Sequence, residues 1–464
     1  MALPGWQSSY RSNIMRSRSH RMRILAVGGG AREHAIVEAL ARSGADVFAC
    51  MKNSNPGIAR RAKSFALIDE TDVKKVVDFA ISSKVELAVI GPEAPLEAGL
   101  SDALRAAGVP AASPSKAAAM IETSKSFMRE LLARYKIAGS VKYEIAGSVQ
   151  EVRTALSRLG TGIVVKPIGL TGGKGVKVFG EHMLSEGEVL SYAEEIFSKR
   201  IGGAAKLVIE EKLVGEEFTV QAFCDGRHVV PMPAVQDHKR AYEGDQGPNT
   251  GGMGSYSQAD GLLPFLRRSE YDAAVDIMTK VVAALRKEKA EYRGALYGQF
   301  MLTREGPKVI EFNARFGDPE AMNVLSLLES DFAATCSGMA TGKVSGKDAK
   351  FAPKASVCKY VVPEGYGTKS MAGEEIVVDE AAIMREGALL YYANVNERDG
   401  KVYTTSSRSV GIVGVAGSIE DAERIAEHGI GHVRGRIHVR HDIAKKAMLE
   451  AKVRRMDEIR RARD

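Results

Sequence analysis

Cysteine is scarce in this sequence of 464 residues, which contains four. They are Cys50, Cys224, Cys336 and Cys358, and no two of them have the spacing of a metal-binding pair. Such scattered cysteines exclude a small disulfide-stapled scaffold and a cysteine-ligated zinc site. We therefore expect the protein to work in a reducing cytoplasm.

Long apolar runs are also lacking, although 45% of the residues are hydrophobic. No run approaches the roughly 18 residues that a membrane-spanning helix needs, so we expect a globular protein with no membrane partner. The length of the chain suggests about three domains.

Acidic residues are absent from positions 1–21, and the basic residues there are Arg11, Arg16, Arg18 and Arg21. The formal net charge of +7 falls to +3 without these four arginines. A balance of that size favours several phosphate pockets over a broad basic face, so nucleic acid is not an expected partner. Because Met22 directly precedes the first apolar strand, we expect residues 1–21 to be an upstream start or a disordered extension. An organellar transit peptide is the alternative.

The order of apolar segments predicts an α/β protein, because residues 23–110 alternate strand and helix as in an open parallel sheet. In the second domain, a Thr/Ser cap predicts the start of an amphipathic helix at TSKSF. The charged last segment predicts a terminal helix that lies in solvent. The predicted parts are a basic extension at 1–21, an N-terminal α/β substrate-binding domain at 22–122, a central domain at 123–345 with a compact flap unit at about 163–225, a C-terminal β-rich domain at 346–441 and a charged terminal helix at 442–464.

A glycine cluster, GGGAREH, follows the first predicted strand and opens a helix. It does not match a dinucleotide fingerprint, because Glu33 stands where the third glycine belongs and the second strand ends without a carboxylate. The backbone amides of Gly29 and Gly30 could still bind one phosphate, although a tight turn would give the same pattern. Glu93, in GPEAPLEAG after a later strand, is a candidate for binding sugar hydroxyls, with a solvated loop carboxylate as the alternative.

A second glycine-rich stretch, VVKPIGLTGGKGVKVF, spans residues 164–179. A P-loop is excluded because Lys174 is followed by Gly175 where a Ser or Thr is required. The pattern instead predicts that Lys166, near the end of an apolar strand, presents a fixed positive charge to phosphates while a glycine flap closes over them. A loose hairpin is the alternative, and the sequence leaves the relative roles of Lys166 and Lys174 open.

Two later stretches make a nucleotide cleft the better interpretation. The first of them is LVIEEKLVGEEF. It predicts a strand followed by a short connecting segment, the crossing at residues 210–213, whose backbone can hydrogen-bond to adenine, and it places Glu217 where it can bind the ribose hydroxyls. The second predicts a hairpin and reads LYGQFMLTREGPKVIEFNARFGDPE. If the two strands pair symmetrically about Glu305 in the turn, Gln299 lies opposite Glu311. Glu311 and Asn313 then share a face with Gln299. Such an oxygen-rich patch suits a hard divalent cation, and a solvent-exposed polar face is the alternative.

Together these motifs, with Lys125 in TSKSF and the stretch EFNARFGD, resemble the ATP-grasp ligases. The stretch QDHKRAYEGDQGPNTGGMGSYS, at residues 236–257, narrows the resemblance to the phosphoribosylamine–glycine ligase family. The implied fold is an N-terminal open parallel sheet of the kind that precedes ATP-grasp domains, central ATP-grasp domains and a small C-terminal α+β domain.

The resemblance implies that ATP phosphorylates the glycine carboxylate and that the amine of 5-phosphoribosylamine attacks the acyl phosphate. Glycinamide ribonucleotide, ADP and phosphate then leave, in the second step of de novo purine biosynthesis. Mg²⁺ or Mn²⁺ and lysines offset the transferred charge, and no covalent nucleophile is needed. A monomer or homodimer is expected.

Site residues are carried over by position. The residues implied at ATP are Lys125, Lys166, Gly172, Gly173, Lys174 and Gly175 for the phosphates, Glu210, Glu211, Lys212 and Leu213 for adenine, and Glu217 for the ribose. The implied metal ligands are Glu311 and Asn313, with Gln299 as a further candidate. The implied catalytic residues are Arg315, Asp237, His238 and Lys239. The implied substrate-binding residues are Gly29, Gly30, Glu93, Asn249, Thr250, Gly251, Gly252 and Met253.

Two positions depart from the family pattern. The flap reads GLTGGKG where many relatives have GLAAGKG, and Gln299 replaces the acid of many ATP-grasp enzymes or the glycine of many close relatives. A neutral ligand would hold a second metal ion more weakly. The alternatives are another ATP-grasp ligase, such as a carboxylase subunit, or a nucleotide-binding regulator without catalysis.

Overall fold

A computed structural model describes residues 21–171 and 175–462. The expectations for residues 1–20 and for Gly172, Gly173 and Lys174 lie outside the described residues. Within the described ranges, no helix is both long and apolar enough to cross a bilayer.

The N-terminal region is an open parallel sheet, as predicted. Its elements are β1 (Arg23–Val27), α1 (Ala31–Arg42), β2 (Asp46–Met51), α2 (Pro56–Arg61), β3 (Ser64–Leu67), α3 (Val73–Ser82), β4 (Leu87–Ile90), α4 (Glu93–Glu97), α5 (Leu100–Ala106) and α6 (Lys116–Thr123). The strands lie in the order β3-β2-β1-β4 and all pair in parallel. The central strand β1 is almost wholly buried, which explains its unbroken apolar sequence.

The flap unit has its own sheet and core, which span residues 143–211 rather than the predicted 163–225, because residues 143–159 join it and residues 216–225 belong to the central sheet. It follows α7 (Lys125–Arg134) and comprises β5 (Tyr143–Ala146), α8 (Val149–Leu159), β6 (Ile163–Pro167), β7 (Lys177–Val178), α9 (Glu186–Lys199), a short 3₁₀ turn (Ile201–Gly203) and β8 (Leu207–Glu211). The strand order is β5-β8-β6-β7, all antiparallel. The predicted cap of α7 is confirmed, because Ser124 Oγ accepts the N–H of Phe127 at 3.3 Å. The separate core includes Val165, Ile196 and Ile209.

The central region contains β9 (Glu216–Asp225), β10 (Val229–Pro231), β11 (Gln236–Asp237), β12 (Arg240–Tyr242), β13 (Gln246–Asn249), β14 (Gly254–Ser257), α10 (Arg268–Lys287), β15 (Arg293–Thr303), β16 (Gly306–Asn313), α11 (Glu320–Leu327) and α12 (Phe332–Thr341). Four of these strands form an antiparallel sheet in the order β10-β9-β15-β16. Helix α10 packs against this sheet. Strands β12 and β13 form a separate hairpin.

The predicted register of the β15–β16 hairpin is confirmed at the site. Gln299 pairs with Glu311 and Tyr297 pairs with Asn313. The turn is centred between residues 304 and 305, because Thr303 pairs with Gly306. A bulge beside Gln299 absorbs the half-residue difference between this centre and the predicted one at Glu305.

The C-terminal region contains a 3₁₀ turn (Gly346–Asp348), β17 (Ala355–Pro363), β18 (Glu375–Val378), α13 (Glu380–Arg385), β19 (Leu389–Tyr392), β20 (Val395–Arg398), β21 (Lys401–Thr404), β22 (Val410–Ala416), α14 (Ile419–Ile430), β23 (Val433–Arg434), β24 (Ile437–Val439) and α15 (Lys446–Arg461). Its main sheet has the order β11-β14-β17-β22-β19, with β24 also on β17, and a smaller sheet has the order β20-β21-β18-β23. Strands β11 and β14 thus bring the motif at residues 236–257 into the C-terminal sheet.

The terminal helix differs from the prediction, because it is docked rather than free in solvent. Met456 is fully buried, and Arg460 binds the Glu270 carboxylate at 2.8 and 2.9 Å and the Phe265 carbonyl at 2.8 Å. Lys452, Arg455 and Arg460 of α15 have acidic partners far away in the sequence, whereas other charges of the helix, such as that of Arg454, remain exposed.

The N-terminal and C-terminal regions contact each other directly. The buried Asn55 side chain donates to the carbonyl oxygens of Gly29, Tyr392 and Ala393 at 2.8 to 3.1 Å. His34 Nδ1 accepts the N–H of Tyr392 at 2.9 Å. These contacts join the loop after β1, the start of α1 and the cap of α2 to the end of β19.

Candidate active site

One face of the central sheet is polar across three neighbouring strands. Its residues alternate with core residues along each strand. They are Glu217, Thr219 and Gln221 on β9, Tyr297 and Gln299 on β15, and Glu311 and Asn313 on β16, in a register that pairs Thr219 with Gln299 and Gln299 with Glu311. Burying so many polar groups on one face is costly unless ligands satisfy them.

The side-chain amide oxygen of Gln299 indicates that a ligand binds at this face. Its Nε2 donates to Glu217 Oε2 at 2.6 Å, but its buried Oε1 has no hydrogen-bond partner among the described residues. A buried acceptor beside the Glu311 carboxylate fits a cation. The described residues contain no group of three or more His, Cys, Asp and Glu side chains that could hold a metal, so a metal here would need amide oxygens or a ligand's own oxygens.

Positive charge converges on the Glu311 carboxylate. The cations that act on it are Lys239, Lys125, Lys166 and Arg315. Burial alone would raise the pKa of Glu311, but their attraction holds it below its usual range. Burial lowers the pKa of Lys125, and the nearby Lys166 adds to this effect. Several lysines and one arginine around a single carboxylate leave positive charge available for a polyphosphate.

The Glu210 side chain is buried at the end of β8. Its carboxylate is buried and binds Arg129 through both oxygens, at 2.7 and 2.8 Å, and Lys166 at 2.7 Å. Burial would raise the pKa of Glu210, but Arg129 and Lys166 lower it to about 2. The side chain therefore positions Lys166 and does not face an adenine. Any contact of this residue with a base must come from its backbone.

The crossing after β8 keeps a more exposed position. Glu211 accepts the N–H of Lys142 at 2.8 Å, and Lys212 pairs with Glu181 of the flap unit at 3.0 Å. The N–H of Lys212 also donates to the Gly162 carbonyl at 2.7 Å. Leu213 is half-buried at the end of the crossing. The predicted adenine residues thus form a tethered loop between the flap unit and the central sheet.

Asp237 and Lys239 lie beside the polar face. Lys239 Nζ is 3.4 Å from Glu217 Oε2, and its positive charge acts on Glu311. Burial raises the pKa of Asp237 to about 7, with Glu320 and Glu217 adding to the shift and Lys239 opposing it. The structure therefore brings two of the predicted catalytic residues together with the predicted metal strand.

His238 does not join them. It is buried beside Tyr256, with ring centroids 5.9 Å apart, and neither ring nitrogen has a hydrogen-bond partner among the residues that the structure describes. Burial lowers its pKa to about 3, and the charges that act on it are those of Lys452, Asp245, Arg440 and Asp442. Because alternate strand residues face opposite ways, His238 lies behind the strand that carries Asp237, which corrects its prediction as a catalytic residue.

Arg315 is already paired with two carboxylates. Its guanidinium lies 3.3 Å from Glu93 and 3.0 Å from Glu122. Burial raises the pKa of Glu122 to about 7 against the attraction of Arg315, and the arginine lowers the pKa of Glu93 to about 2 despite partial burial. This ion triad joins the N-terminal region to the end of β16. It leaves less free charge on Arg315 than the sequence predicted for a substrate-binding guanidinium.

In the first glycine cluster, GGGAREH, the Glu33 carboxylate binds the backbone at the start of α1. The N–H of Gly30 donates to Glu33 Oε2 at 2.8 Å, and a Cβ at Gly91 would lie 2.0 Å from the other Glu33 oxygen. Gly29 has its carbonyl bound by Asn55. The predicted phosphate position at Gly30 is therefore occupied by a carboxylate, because Glu33 at the third helical position folds back as a cap.

The loop at residues 249–253 is held from both sides. The N–H and the hydroxyl of Thr250 donate to the Lys239 carbonyl at 2.7 and 2.8 Å. Arg408 donates to the carbonyl oxygens of Gly251 and Gly252 and pairs with Asp318 at 2.9 Å. Asn249 ends the hairpin that begins at Arg240. Met253 is fully buried in the main core, so its side chain is not placed to touch a substrate as predicted.

Sequence reasoning missed three residues that organise this site: Arg129, Glu122 and Arg408. Arg129 has the clearest signal, since it is a charge on the apolar side of an amphipathic helix, where it needs a buried partner. Arg408, in TTSSRSVG before an apolar strand, and Glu122, beside the Thr/Ser cap of α7, have no local pattern that names their partners.

A separate flap unit, a tethered crossing and a polar antiparallel sheet with converging lysines define an ATP-grasp enzyme. Three family models of phosphoribosylglycinamide synthetase match the chain: the N domain at 22–122, the ATP-grasp (A) domain at 123–321 and the C domain at 356–446. The chain therefore belongs to the phosphoribosylglycinamide synthetase family and is an ATP-grasp ligase. The resemblance and fold class predicted from the sequence are confirmed.

Curated relatives agree over the full length. A phosphoribosylamine–glycine ligase of Methanothermobacter thermautotrophicus is 54% identical over 439 residues, which cover 95% of this chain and 100% of the relative. One of Methanocaldococcus jannaschii is 50% identical over 445 residues, with 95% and 100% coverage.

Solved structures extend the comparison. The crystal structure of phosphoribosylamine–glycine ligase from Thermotoga maritima has a TM-score of 0.77 at 27% identity and covers 91% of this chain and 100% of its own. The biotin carboxylase domain of the Hydrogenobacter thermophilus 2-oxoglutarate carboxylase, with MgADP and bicarbonate, has a TM-score of 0.73 at 15% identity, with 96% and 100% coverage. The second likeness shows a shared fold alone.

Proposed function

We propose that this cleft joins glycine to 5-phosphoribosylamine with ATP, through a glycyl phosphate, and yields glycinamide ribonucleotide, ADP and phosphate. One observation carries the proposal: the charges of Lys125 and Lys166 from the nucleotide side and of Lys239 from the QDHKR motif all act on the Glu311 carboxylate. A reaction that brings ATP and two substrates together needs such a meeting point.

ATP is expected to lie between the flap unit and the central sheet. Lys125 and Lys166 would contact its phosphates, since Lys125 Nζ donates to the Gly169 carbonyl beside the flap at 2.9 Å and Lys166 is held by Glu210 at 2.7 Å. Gly175, whose carbonyl accepts the Tyr192 hydroxyl at 2.8 Å, would anchor the end of the flap. The backbone from Glu211 to Leu213 would contact adenine. Glu217 lies close to Gln299 and Lys239, so its expected role at the ribose also couples the nucleotide to the acceptor side.

A divalent cation, Mg²⁺ or Mn²⁺, fits the polar face. Glu311, Asn313 and the unpartnered Oε1 of Gln299 would hold it, with phosphate oxygens of the nucleotide completing the set. When bound, the ion neutralises charge on the transferred phosphoryl group. The lysines around Glu311 provide the same kind of stabilisation from the protein itself.

The chemistry then has two steps. First, a glycine carboxylate oxygen attacks the γ-phosphorus, and the bond to the ADP oxygen breaks. Next, the amine nitrogen attacks the glycyl carbonyl carbon, the carbon–oxygen bond to phosphate breaks, and the nitrogen loses a proton. Asp237, with a pKa of about 7, is suited to accept that proton near neutral pH. Lys239 would balance the developing negative charge.

No covalent step through cysteine is part of the proposal. All four cysteines are buried and free, and burial raises the pKa of Cys50 to about 12 and also raises those of the other three thiols. A thiolate nucleophile is therefore not available near neutral pH.

Substrate-omission kinetics test the proposal. ADP release should require Mg²⁺, glycine and 5-phosphoribosylamine together, with the amine generated in the assay from ribose 5-phosphate and ammonia, and the product should have the mass of glycinamide ribonucleotide. ADP release that depends on bicarbonate and ignores the amine would support a carboxylase instead. Nucleotide binding without any turnover would support a regulator.

A further inference from the structure

The terminal helix α15 contacts both sides of the reaction cleft. It begins at residue 446, where the match to the C-domain model ends. Lys452 on this helix reaches Glu216 Oε2 at 3.2 Å and Asp245 Oδ2 at 3.7 Å. Arg455, one turn further on, reaches the other Glu216 oxygen at 3.2 Å.

The two acidic residues that Lys452 contacts belong to different parts of the proposed active site. Glu216 is the first residue of β9 and directly precedes Glu217, which faces Gln299 and Lys239. Asp245 lies in the turn of the β12–β13 hairpin, whose second strand leads into the glycine loop at 249–253. Lys452 is therefore a cross-link between the start of the nucleotide strand and the substrate hairpin.

The same ionic layer lies behind the QDHKR motif. Gln236 Nε2 donates to Glu216 Oε2 at 3.3 Å and to the Glu217 carbonyl at 2.9 Å. Arg440 binds Asp245 at 2.7 Å and the Arg240 carbonyl at 3.1 Å. The motif thus has Asp237 and Lys239 toward the cleft and a layer of charges at its back.

Burial makes this layer sensitive to the loss of one charge. The Lys452 side chain is 14% exposed and the Glu216 side chain 5%. A buried carboxylate that loses a cation attracts water or moves toward another partner. Without Lys452, Glu216 keeps Arg455 at 3.2 Å and Gln236 at 3.3 Å, so the start of β9 stays held, whereas the link from α15 to Asp245 in the hairpin turn is lost.

We propose that Lys452 is a positioning residue of the ligase reaction, which sets the substrate hairpin at residues 240–249 against the strand that carries Glu217. The inference rests on the proposed function for its kinetic consequence. Lys452 touches neither the substrate nor the phosphates. It acts through Glu216 and Asp245, so its loss should affect the acceptor substrate before it affects nucleotide binding.

The test compares Lys452→Met, Lys452→Arg and, as a control on the same helix, Arg454→Met. Arg454 is exposed, and its ion pair among the described residues is the local one with Glu450 at 3.7 Å. In Lys452→Met, the KM for 5-phosphoribosylamine should rise or kcat should fall by about tenfold to a hundredfold, as small displacements of reacting groups do. The KM for ATP should stay within about twofold, because Lys166 and Lys125 are held by other contacts. Lys452→Arg should restore most of the activity, and Arg454→Met should match the parent protein.

Hydrogen exchange provides a readout that does not depend on turnover. Amides of residues 240–249 should exchange faster in Lys452→Met than in the parent, with α10 unchanged. Unchanged exchange in the hairpin would overturn the proposal, and so would a fall in melting temperature with kinetic constants preserved. If the parent protein has no ligase activity, the proposed function fails, while the exchange data still decide whether Lys452 positions the hairpin.

Discussion

Glu210 stabilises the cleft from within, since one buried carboxylate holds Arg129 and Lys166 together. Arg129 also donates to the carbonyl oxygens of Val309 and Ile310 at 3.0 Å. The flap unit, α7 and β16 are thereby joined at one point. Two cations share this acid, so its loss would leave both uncompensated in the interior.

We predict that Glu210→Gln lowers the free energy of unfolding by about 3–5 kcal/mol, the usual cost of breaking a buried ion pair. Urea unfolding at pH 7 measures it. Glu195→Gln, on the exposed face of α9 beside Lys199, is the matched control and should leave stability unchanged. Equal midpoints for Glu210→Gln and the parent would contradict the role of this carboxylate.

Asp237 gives the reaction a pH dependence. Its pKa of about 7 is raised by burial and by Glu320, Glu217 and Glu311, while Lys239 opposes the shift. The carboxyl therefore binds a proton as the pH falls below about 7 and can no longer accept one from the amine. We predict that kcat/KM for 5-phosphoribosylamine falls about tenfold per pH unit on that side.

Asp237→Asn should remove this acidic limb and leave a low, flat profile. Glu122, whose pKa is also raised by burial to about 7, is the necessary control, and Glu122→Gln should keep the limb. A limb with a midpoint near 7 that survives in Asp237→Asn would assign the proton transfer to another group.

At the residue scale, the sequence predicts the chemical role of a side chain better than it predicts which residues that side chain contacts. Glu311 and Gln299 could be paired from hairpin symmetry, because their contact is local. The partners of Glu210, Arg315 and Lys452 lie between 44 and 236 residues away, and no local pattern encodes those contacts. Likewise, nothing in GGGAREH indicates whether Glu33 or a ligand caps the helix.

At the scale of elements, the flap unit is a separately packed part of the molecule. It packs its own core, and its ties to the substrate hairpin include exposed pairs such as Glu181 with Arg240 at 3.1 Å. Such exposed ion pairs are weak and can exchange as the unit opens and closes. Lys166 lies on β6 of this unit, but its pair with Glu210 ties it to Arg129 of α7, so its charge stays fixed while the exposed pairs exchange.

We predict that Lys166→Met weakens ATP binding about tenfold, because a fixed positive charge is removed from the phosphates. Isothermal titration with ATP and Mg²⁺ measures the dissociation constant. Lys177→Met is the control from the same sheet, since its ammonium lies over the Tyr192 ring at 3.8 Å. Equal affinity in Lys166→Met would transfer the phosphate role to Lys174.

The start of a helix or the pairing of two strands could be predicted from the sequence where a capping residue or a short hairpin determines it. Ser124 begins α7, and the β15–β16 pairing holds at the site despite a shifted turn. The prediction that α15 lies in solvent is wrong because charge alone does not show where a helix docks: Lys452 pairs with the buried Glu216 and Arg460 with the half-buried Glu270. The place of β11 and β14 in the C-terminal sheet could not be predicted, because β17 lies about a hundred residues further along the chain.

At the scale of the whole molecule, Asn55 joins the N-terminal region to the C-terminal region. Its amide holds three carbonyl oxygens, two of them at the end of β19, and its oxygen caps α2 through Gly57 and Ile58. Because the side chain is fully buried, removing it leaves donors and acceptors without partners.

We predict that Asn55→Ala lowers the free energy of unfolding by about 2–4 kcal/mol, from the lost cap and the buried carbonyls. Thermal unfolding gives the change. Asn53→Ala, two residues earlier and half-exposed, removes one long contact to Asn394 and should have a much smaller effect. A small change in Asn55→Ala would show that other contacts hold the N-terminal and C-terminal regions together.

The glycyl phosphate is the central claim at this scale, because it requires ATP, glycine and the amine to meet in one cleft. Glycine labelled with ¹⁸O in both carboxylate oxygens tests it directly. One labelled oxygen should appear in each inorganic phosphate released, because the acyl phosphate breaks at its carbon–oxygen bond, and Glu311→Gln should release little phosphate at all. Phosphate free of label, formed while glycinamide ribonucleotide accumulates, would contradict the mechanism.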